Sequence, residues 1–523
     1  MAPTRSHSPL RLAFVHTPGA ALPIWVAHLI ERIADDPDLQ LVAMHPGAPP
    51  EGTPRPAFSL TLFLEGLSEP AHYRGLSTAR ADAILAGLPR HGPESGPVDL
   101  ALALTGTTLD PAQLAALGCE EWSLRIGDEP VAQAGPASMR ALAEGAPLVP
   151  ITLMTRRTGA EQAQPVFTAQ YNIKPSAVAL KVFLCEKAMI LVQRALRCRA
   201  CDRPVDAGVD MGPDDAPPPA TLGRTYPAAL ARAVVKRATS RLRDRLGRPS
   251  DYWELRMGQG ALGQPELTSL RPLPRFSRAM ADPFLFNHDG TLYLFYEAFD
   301  SPDSEAWIDV CRLTDGRPEP LGTALRCPYH LSFPQVFAHD GEIYMMPETQ
   351  QMNRLEIWRA TRFPLEWERH AIALEGQLPA DSCLFNRGNE WWLFSNLSDH
   401  YCFQEHSSAL YLFRVDGPSL TSLTPHPLNP IVIGSDVARN AGAVFAAGDM
   451  ILRPSQNNSY GVYGYGVNLM RVERLDDTDY HETLLCRITP RDLGDAQGVH
   501  HLSFAQGHFV LDAYLNRAAA IQQ

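Results

Sequence analysis

The stretch ADPFLFNHDGTLYLFYEA, which begins at Ala281, holds an apolar run, a turn that contains Gly, and a second apolar run. Four later stretches repeat this frame, and they begin at Phe333, Asp381, Asn440 and His501. The turn glycines of the five copies are Gly290, Gly341, Gly388, Gly448 and Gly507, at spacings of 51, 47, 60 and 59 residues. The second half of the chain is therefore built from five copies of one unit.

A unit of about fifty residues that begins with hairpin chemistry is typical of a β-propeller blade, which buries its faces only against neighbouring blades. We therefore predict five blades. Because the innermost strands of a propeller surround a central channel, polar residues at the blade starts should converge there. The starts hold Asp282, Ser332, Asp381, Asn440 and His501, and the second runs end on Glu297, Glu348, Asn396, Gln456 and Asp512.

The length of 523 residues predicts two or three domains. We assign residues 1–200 to an α/β domain, 201–250 to a linker with a basic helix, and 251–523 to the propeller. A net charge of −12 argues against a nucleic-acid partner. No secretory signal is evident, and the nine cysteines are scattered, so we expect a cytoplasmic setting.

The first domain begins with a strand–turn–helix–strand pattern over residues 11–45, which predicts a Rossmann-type parallel sheet. Asp110 should cap a short helix, and a long apolar helix should end the domain near residue 200. Two further strands before that helix, LVPITLMTRR and QPVFTAQYNI, should form an antiparallel pair. The fold class is thus multidomain, with an α/β domain followed by an all-β five-bladed propeller.

Two features between these domains have competing interpretations. Cys198 and Cys201 have the spacing of zinc ligands, but no second pair follows, so two ordinary thiols are favoured and no metal is expected. The helix predicted over residues 228–248 is rich in Arg and Lys. It is either a peripheral membrane contact or a solvated helix face, and its few, small apolar residues favour the second interpretation.

The order of elements over about residues 10–195 resembles the N-terminal domain of the formyltransferase family. That family uses an Asn, a His and an Asp as catalytic groups. The corresponding stretches here are WSLRIGDEPVAQAGPASM from Trp122, which holds neither the Asn nor the His, and RTGAEQAQPVF from Arg157, which lacks the Asp. The resemblance implies the fold, whereas formyl transfer would require groups that these stretches do not supply.

The five blades and the ADPF phrase resemble the propeller glycosidases of the arabinanase and xylosidase type. A closer resemblance, over about residues 250–515, is to the propeller-like domain found beside the transferase domain of plant glucosamine inositolphosphorylceramide transferases. The phrases that carry it are HLSFPQVF, GEIYMMPET, ARNAGAVF, ILRPSQNNSYGVYG and GVHHLSF. Bacterial proteins that join this domain to a formyltransferase-like domain share the resemblance.

The glycosidase resemblance implies catalytic carboxylates. Asp282 matches the general base by position and by the Pro that follows it, and Asp381 matches the second aspartate. The expected fourth-blade Glu is absent, and Glu348, one blade earlier, is the best substitute. Independently of the resemblance, carboxylates crowded into one channel separate each other's pKa values, which yields an acid and a base from one residue type.

Other polar and aromatic groups near these positions are candidates for substrate contacts. We predict hydroxyl or phosphate contacts from His330, Arg439, Asn440, Gln456, Asn457 and His501. Trp391, Trp392 and Tyr460 could offer stacking faces, although packing within a blade is the favoured interpretation for the two tryptophans. At least one pair among the three carboxylates should be spaced by about 6.5 to 9.5 Å.

Three functional hypotheses follow. The first is an intracellular enzyme that transfers a glycosyl unit to a glycan or glycolipid intermediate at the propeller channel, with a sugar nucleotide as one candidate donor. The second is formyl or acyl transfer to an amino sugar by the first domain, with the propeller as a sugar-binding module. The third is a non-catalytic scaffold. The first and second hypotheses require a sugar-containing substrate.

Overall fold

The computed structural model describes residues 8–17, 22–47, 66–67, 83–84, 86–87, 96–205, 251–300, 305–314, 316–398 and 404–516. Within this part of the chain, the residues up to 205 and the residues from 251 form two compact units. The predicted basic helix over 228–248 lies outside the described residues. Among the helices that are described, none is both long and apolar enough to cross a membrane.

The first unit is a seven-stranded sheet with helices, as predicted for an α/β domain. Its strands are β1 (Leu10–His16), β2 (Leu39–Pro46), β3 (Leu100–Ala103), β4 (Glu120–Ile126), β5 (Glu129–Pro130), β6 (Leu148–Arg156) and β7 (Gln164–Asn172). Its helices are α1 (Ile24–Asp35), α2 (Pro111–Leu117), α3 (Ala134–Glu144) and α4 (Ala177–Ala200), with a 3₁₀ turn over Val131–Gln133.

The strand order is β2-β1-β3-β4-β6-β7, with β5 beside β4. Strands β1 to β4 pair in parallel, whereas β6 and β7 run antiparallel to their neighbours. The parallel sheet is thus confirmed for the first four strands, and the predicted antiparallel pair is confirmed for the last two. The formyltransferase resemblance of this unit stays a prediction.

Local sequence explains where these helices begin. Asp110 accepts a hydrogen bond from the backbone N–H of Gln113, and the Gln113 side chain accepts one from the Asp110 N–H, which is the reciprocal capping box. The Ser176 side chain caps α4 by accepting a single hydrogen bond from the N–H of Ala179. Helix α4 is apolar on most sides and is correspondingly buried along most of its length.

The second unit contains the five predicted blades. Blade 1 comprises β11 (Ala279–His288), β12 (Thr291–Phe299), β13 (Trp307–Thr314) and β14 (Arg317–Leu325); blade 2 comprises β15 (Ser332–His339), β16 (Glu342–Glu348), β17 (Leu355–Arg362) and β18 (Glu366–Ala373). Blade 3 comprises β19 (Pro379–Arg387), β20 (Glu390–Leu397), β21 (Ala409–Val415) and β22 (Leu423–Pro425), with β23 (Val432–Ile433) beside β21. Blade 4 comprises β24 (Phe445–Ala447), β25 (Met450–Asn457), β26 (Gly466–Leu475) and β27 (Tyr480–Ile488), and a short helix α5 (Pro490–Leu493) follows it.

Blade 5 joins the two ends of the unit. Its inner strands are β29 (Leu502–Ala505) and β30 (His508–Asn516), and β30 pairs along its whole length with β8 (Asp251–Ala261). The smaller strands β9 (Gln264–Pro265), β10 (Arg271–Pro272) and β28 (Ala496–Gly498) complete this sheet. The segment that precedes the first repeat in the sequence thus belongs to the last blade, so the ring is closed by hydrogen bonds between strands distant in the chain.

The apolar core of the propeller is divided among the gaps between neighbouring blades. One cluster of buried residues lies in each gap: blades 5 and 1 share Leu255 with Leu294, and blades 1 and 2 share Ile308 with Met345. The other three gaps are filled in the same way. Each blade therefore buries its two faces only against its two neighbours, and this dependence favours a closed ring of blades.

Blade 4 also contains a fully buried ion pair. The guanidinium of Arg453 on β25 donates from Nε to Glu482 Oε2 at 2.8 Å and from Nη2 to Glu482 Oε1 at 2.5 Å, and neither side chain is more than 1 % exposed. Arg453 also donates to the carbonyl of Val437 and to Asn440 Oδ1. These bonds tie the outer part of blade 4 to the start of its inner strand.

We predict that Arg453→Met strongly destabilises the propeller, because it leaves the Glu482 carboxylate buried without its cation. The expected loss is about 3–5 kcal/mol in the free energy of unfolding, measured by urea denaturation. The double variant R453M/E482M should recover much of this loss. As a control, Arg312→Met removes an exposed Arg312–Glu319 pair and should leave the urea midpoint almost unchanged. A loss of stability in R312M as large as that in R453M would contradict this explanation.

Candidate active site at the starts of the inner strands

Each of the first three inner strands has, within its first four residues, one residue in the left-handed backbone region. The φ angles are 48° at Asp282, 47° at Phe333 and 41° at Asp381. At each of these positions the register of the hairpin shifts, as in a β-bulge. A non-glycine residue in this conformation costs roughly 1–2 kcal/mol, so the surrounding contacts must hold it there.

Hydrogen bonds between blades hold these strand starts. In each of four bonds, a backbone N–H at the start of one inner strand donates to a side-chain oxygen of the preceding blade. The bonds are Phe333 N–H to Asp282 Oδ2 (3.2 Å), Asp381 N–H to Glu348 Oε2 (3.0 Å), Asn440 N–H to Asn396 Oδ1 (2.9 Å) and Asp282 N–H to Asp512 Oδ2 (3.1 Å). Blades 4 and 5 are joined by the Leu502 N–H, which donates to the Ala441 carbonyl at 2.8 Å. The polar strand starts thus form a closed ring across all five blades.

One cluster in this ring centres on Arg439. Its Nε lies 2.6 Å from Asp381 Oδ2, and its Nη2 lies 3.9 Å from Glu348 Oε2. Gln456 adds a hydrogen bond from Nε2 to the same Asp381 oxygen at 3.1 Å. Burial and the charge of Asp381 raise the pKa of Glu348 well above its usual value, although Arg439 opposes this shift. Glu348 therefore retains a proton under conditions in which an exposed glutamate would lose it.

A second cluster joins blades 1 and 5. Asp282 Oδ1 lies 3.5 Å from His500 Nε2 and 3.4 Å from His501 Nδ1, and His500 Nδ1 lies 2.7 Å from Asp512 Oδ2. Burial alone would raise the pKa of Asp282, but the contact with His501 and the positive charges of His500 and Arg439 outweigh it and lower the pKa to about 2. Asp282 is consequently ionised at neutral pH.

The same contacts act on His500 in the opposite direction. Burial disfavours its charged form, but the carboxylates of Asp512 and Asp282 outweigh burial and raise the pKa of His500 to about 9. Donor atoms of Asp282, His500 and Asp512 lie within 4.8 Å of one another, which is close enough for a cation. An imidazolium between two carboxylates already balances this charge, so we describe the group as an ion-paired triad.

A third pair lies at the seam of blades 1 and 2. His330 Nε2 is 3.2 Å from Glu297 Oε1. The imidazole is 44 % exposed, whereas the carboxylate behind it is only 10 % exposed. Burial and the charge of Asp282 raise the pKa of Glu297, which His330 partly opposes.

An exposed aromatic ring lies next to the first two clusters. The Tyr463 ring has the Arg439 guanidinium carbon 5.0 Å from its centroid and the His500 ring 5.3 Å away, and 47 % of the residue is exposed. The neighbouring Gly464 has a φ of 64°, and a Cβ there would lie 2.4 Å from the Cβ of His500. The close approach that this glycine permits holds the ring beside the two cations.

The structure places the predicted site residues at different depths. The His330 side chain is partly exposed, and Glu348 and Arg439 are less accessible, whereas Asn440, Asn457 and His501 are almost completely buried. Asn440 donates from Nδ2 to the Asp381 carbonyl at 2.8 Å, and the His501 ring packs against those of Phe284 and Phe333. These buried residues support the ring from behind its accessible surface, and the catalytic and binding roles remain predictions.

Trp391 and Trp392 are buried in apolar clusters, which confirms the favoured interpretation of packing within the propeller, so they offer no stacking faces. They follow the turn of the β19–β20 hairpin, at the opposite end of the hairpin from Asp381. Sequence analysis singled out Tyr460 but missed Tyr463, and it missed His500. The adjacent pair of histidines was a usable signal, but the repeat frame was aligned on His501.

The raised pKa of His500 predicts that stability falls as the pH increases. Its pKa is about 9 in the folded protein against an ordinary value of 6.5, so the stabilisation is complete below pH 6.5 and is lost as the pH approaches 9. The loss should amount to about 3 kcal/mol, since each pKa unit corresponds to 1.36 kcal/mol.

Urea denaturation between pH 6 and 9.5 measures this effect. His500→Asn should lower the free energy of unfolding at pH 6 and reduce its decline with rising pH. His370→Asn, at an exposed position, should leave that decline unchanged. An unchanged decline in the H500N variant would contradict the ion-paired triad.

The propeller region of the chain is similar in sequence to known proteins. Residues 268–492 match the family described as "Glucosamine inositolphosphorylceramide transferase 1, N-terminal". Similar proteins include glucosamine inositolphosphorylceramide transferase 1 of Oryza sativa subsp. indica, 37 % identical over 210 residues, and that of Arabidopsis thaliana, 35 % identical over 210 residues. The matches cover 39 % of this chain but only 28 % and 27 % of those proteins, so the chain spans little more than a quarter of their length.

Solved structures with some similarity include two glycoside hydrolases. One is a β-xylosidase/α-arabinofuranosidase from a compost metagenome, 12 % identical with a TM-score of 0.33, covering 45 % of this chain and 89 % of that one. The other is the catalytic domain of an α-L-arabinofuranosidase of Coprinopsis cinerea, 12 % identical with a TM-score of 0.35, covering 49 % and 85 %. The sequence matches show that the propeller region of this chain is similar to the N-terminal region of glucosamine inositolphosphorylceramide transferases.

Proposed function

We propose that the chain is an enzyme that transfers a glycosyl unit to a glycolipid at the ring of inner-strand starts. The observation that carries this proposal is that two carboxylates of one ring have opposite surroundings. Glu348 is buried beside Asp381, which raises its pKa, whereas Asp282 Oδ1 lies 3.5 Å from His500 Nε2 and 3.4 Å from His501 Nδ1, which lower its pKa. Glycosyl transfer passes through a cation-like sugar centre and uses both kinds of group. Arg439, whose charge acts on both carboxylates, connects the two clusters.

Each group has a defined part in the proposed reaction. Glu348 donates its proton to the oxygen that leaves the sugar, as the bond from that oxygen to the anomeric carbon breaks. The Asp282 carboxylate stabilises the positive charge that develops on the sugar ring. Because its pKa is about 2, Asp282 is a weak base, which favours this electrostatic role over the general-base role implied by the glycosidase resemblance. Tyr463 offers an exposed ring against which a sugar face can pack.

The choice of substrate rests on the similar proteins. Their names specify glucosamine as the sugar and inositolphosphorylceramide as the acceptor. We propose a sugar of this class and a glycolipid acceptor for this chain. The carboxylates of the ring outnumber its cations, which favours a neutral or cationic sugar over an acidic one. We further propose the cytoplasm as its setting, on the basis of the scattered cysteines, of which the eight described are free thiols.

A second candidate function is sugar binding without chemistry. It is favoured by the structural bonds that Asp282 and Asp381 already make, since both carboxylates accept from backbone or side-chain donors in the ring. Under this alternative, Glu348→Gln would bind sugar as tightly as the wild type does. Neither protein would catalyse transfer.

We predict that Glu348→Gln lowers the transfer rate about 10²- to 10⁴-fold, because the amide cannot supply the proton to the leaving oxygen. The measurement is transfer from a panel of sugar nucleotides to vesicles that contain an inositol phospholipid. The wild-type rate should fall as the pH rises through the raised pKa of Glu348, and E348Q should lose this alkaline limb.

Glu319→Gln is the matched control, because it removes an exposed carboxylate from the outer strand of blade 1. It should leave the rate unchanged. If E348Q and Asp282→Asn both retain the full rate of the wild type, the proposed site is refuted. If the wild type binds sugar but does not turn it over, the second candidate function is favoured.

A further inference from the structure

The Glu297–His330 pair differs from the other ion pairs of the ring in its access to solvent. Glu297 lies near the end of β12 in blade 1 and is almost buried, whereas His330 lies just before β15 in blade 2 and is 44 % exposed. The carboxylate therefore contacts the Nε2 side of the imidazole from within the protein, and the remaining part of the imidazole is open to solvent.

The backbone around His330 is fixed on both sides. The His330 N–H donates to Gln351 Oε1 at 2.8 Å, and the hydroxyl of the preceding Tyr329 donates to the buried Glu356 Oε2 at 2.9 Å. The imidazole is thus held by blade 2 while its carboxylate partner belongs to blade 1. Such fixed geometry suits a group that must accept a proton from a bound molecule.

The proposed transfer requires a base that the three predicted carboxylates do not provide. An acceptor hydroxyl must lose its proton as its oxygen bonds to the anomeric carbon. Asp282 has a pKa of about 2 and is weakly basic, Glu348 serves as the proton donor in the proposed reaction, and Asp381 Oδ2 lies 2.6 Å from Arg439 Nε. The proposed reaction therefore needs a further group that can act as the base.

We propose that His330 is this general base, and that Glu297 is the positioning residue that orients the His330 ring. The proposal rests on the glycosyl transfer proposed above and extends it with a second proton-transfer group. It places the acceptor hydroxyl at the seam of blades 1 and 2.

The proton balance of the step is as follows. In the neutral imidazole that donates its Nε2 hydrogen to Glu297, the Nδ1 lone pair is directed away from the carboxylate. The acceptor O–H bond breaks, its proton moves to Nδ1, and the oxygen electron pair forms the new bond to the anomeric carbon. The bond from that carbon to the leaving oxygen breaks, and the Glu348 proton moves to the leaving oxygen. One proton is taken up and one is given out by the protein in each turnover.

The charges around His330 suit this role. Burial opposes the imidazolium, but the hydrogen bond and charge of Glu297, together with the charges of Asp282 and Glu305, outweigh burial and raise the pKa of His330 above its ordinary value. These three carboxylates come from β12, β11 and the segment before β13. A raised pKa makes the neutral imidazole a stronger base, and it requires a pH high enough for that form to be populated.

Two variants test the proposal in the full-length protein, with the donor and lipid vesicles on which the wild type is active. His330→Ala should lower the transfer rate about 10²- to 10⁴-fold, and added imidazole should restore part of it in a concentration-dependent manner, since the position is accessible. Glu297→Gln removes the charge that raises the pKa of His330, so the limb of the pH–rate profile that reports His330 should move to lower pH.

The pair His339–Asp340 supplies matched controls. His339 Nε2 lies 3.2 Å from Asp340 Oδ2, the same distance as in the proposed pair, but it lies at the hairpin turn at the opposite end of β15. His339→Ala and Asp340→Asn should change neither the rate nor the pH profile, and imidazole should have no effect on H339A.

Three outcomes decide the matter. Imidazole rescue of H330A together with the shifted limb in E297Q supports the proposal. The proposal is overturned if H330A transfers at the wild-type rate, or if a folded H330A protein is inactive and imidazole does not restore its activity. Either result leaves the proposed function standing. Absence of transfer by the wild type with every donor and vesicle tested overturns the proposed function and this inference together.

Discussion

The candidate site depends on one constraint: the inner strands begin in a left-handed backbone conformation that only contacts with the neighbouring blade can hold. Asp282 and Asp381 have this conformation, and each is fastened at its N–H by a carboxylate of the preceding blade. The same carboxylates belong to the polar ring. Closure of the propeller and assembly of the site are therefore the same event, because the bonds that join the blades also fix the carboxylates.

This arrangement explains how similar side chains acquire different protonation. Asp282 faces His500 and His501, and its negative charge is favoured; Glu348 faces Asp381, and its negative charge is disfavoured. Arg439 belongs to the first cluster, and its charge lowers the pKa of both Glu348 and Asp282. The ring is thus a set of carboxylates whose pKa values are separated by their neighbours, a pattern that accompanies acid and base roles in many enzymes.

The fold could be predicted from the sequence because it is repeated. Five turn glycines at regular spacing determine the number of blades, and the hairpins occur at those turns with Gly290 and its four counterparts at positive φ. The closure by β8 could not be predicted, since the strand DYWELRMGQGA has no partner signal within its own unit. Tertiary pairing alone assigns it to blade 5.

The candidate site could be predicted only in part. Alignment of the repeats located Asp282, Glu348 and Asp381, because the inner strands converge at their starts. The alignment did not predict how deeply each side chain is buried. His501 and Asn440 are buried while the His330 side chain is partly exposed, and this difference depends on bulges and on packing between blades. Tyr463 lies in a loop between β25 and β26, whose position beside His500 depends on Gly464 and has no counterpart in the repeat.

The most direct test of the account is a crystal structure of the E348Q variant soaked with the sugar donor that the wild type uses. The account predicts a sugar ring packed on Tyr463, with its anomeric carbon between residue 348 and Asp282 and its open side toward His330. The side-chain amide of residue 348 should face the leaving oxygen, and the Asp282 carboxylate should face the sugar ring. A sugar bound elsewhere, for example at the turn ends of blades 1 and 5 beside Arg271 and Gln506, would contradict the central claim.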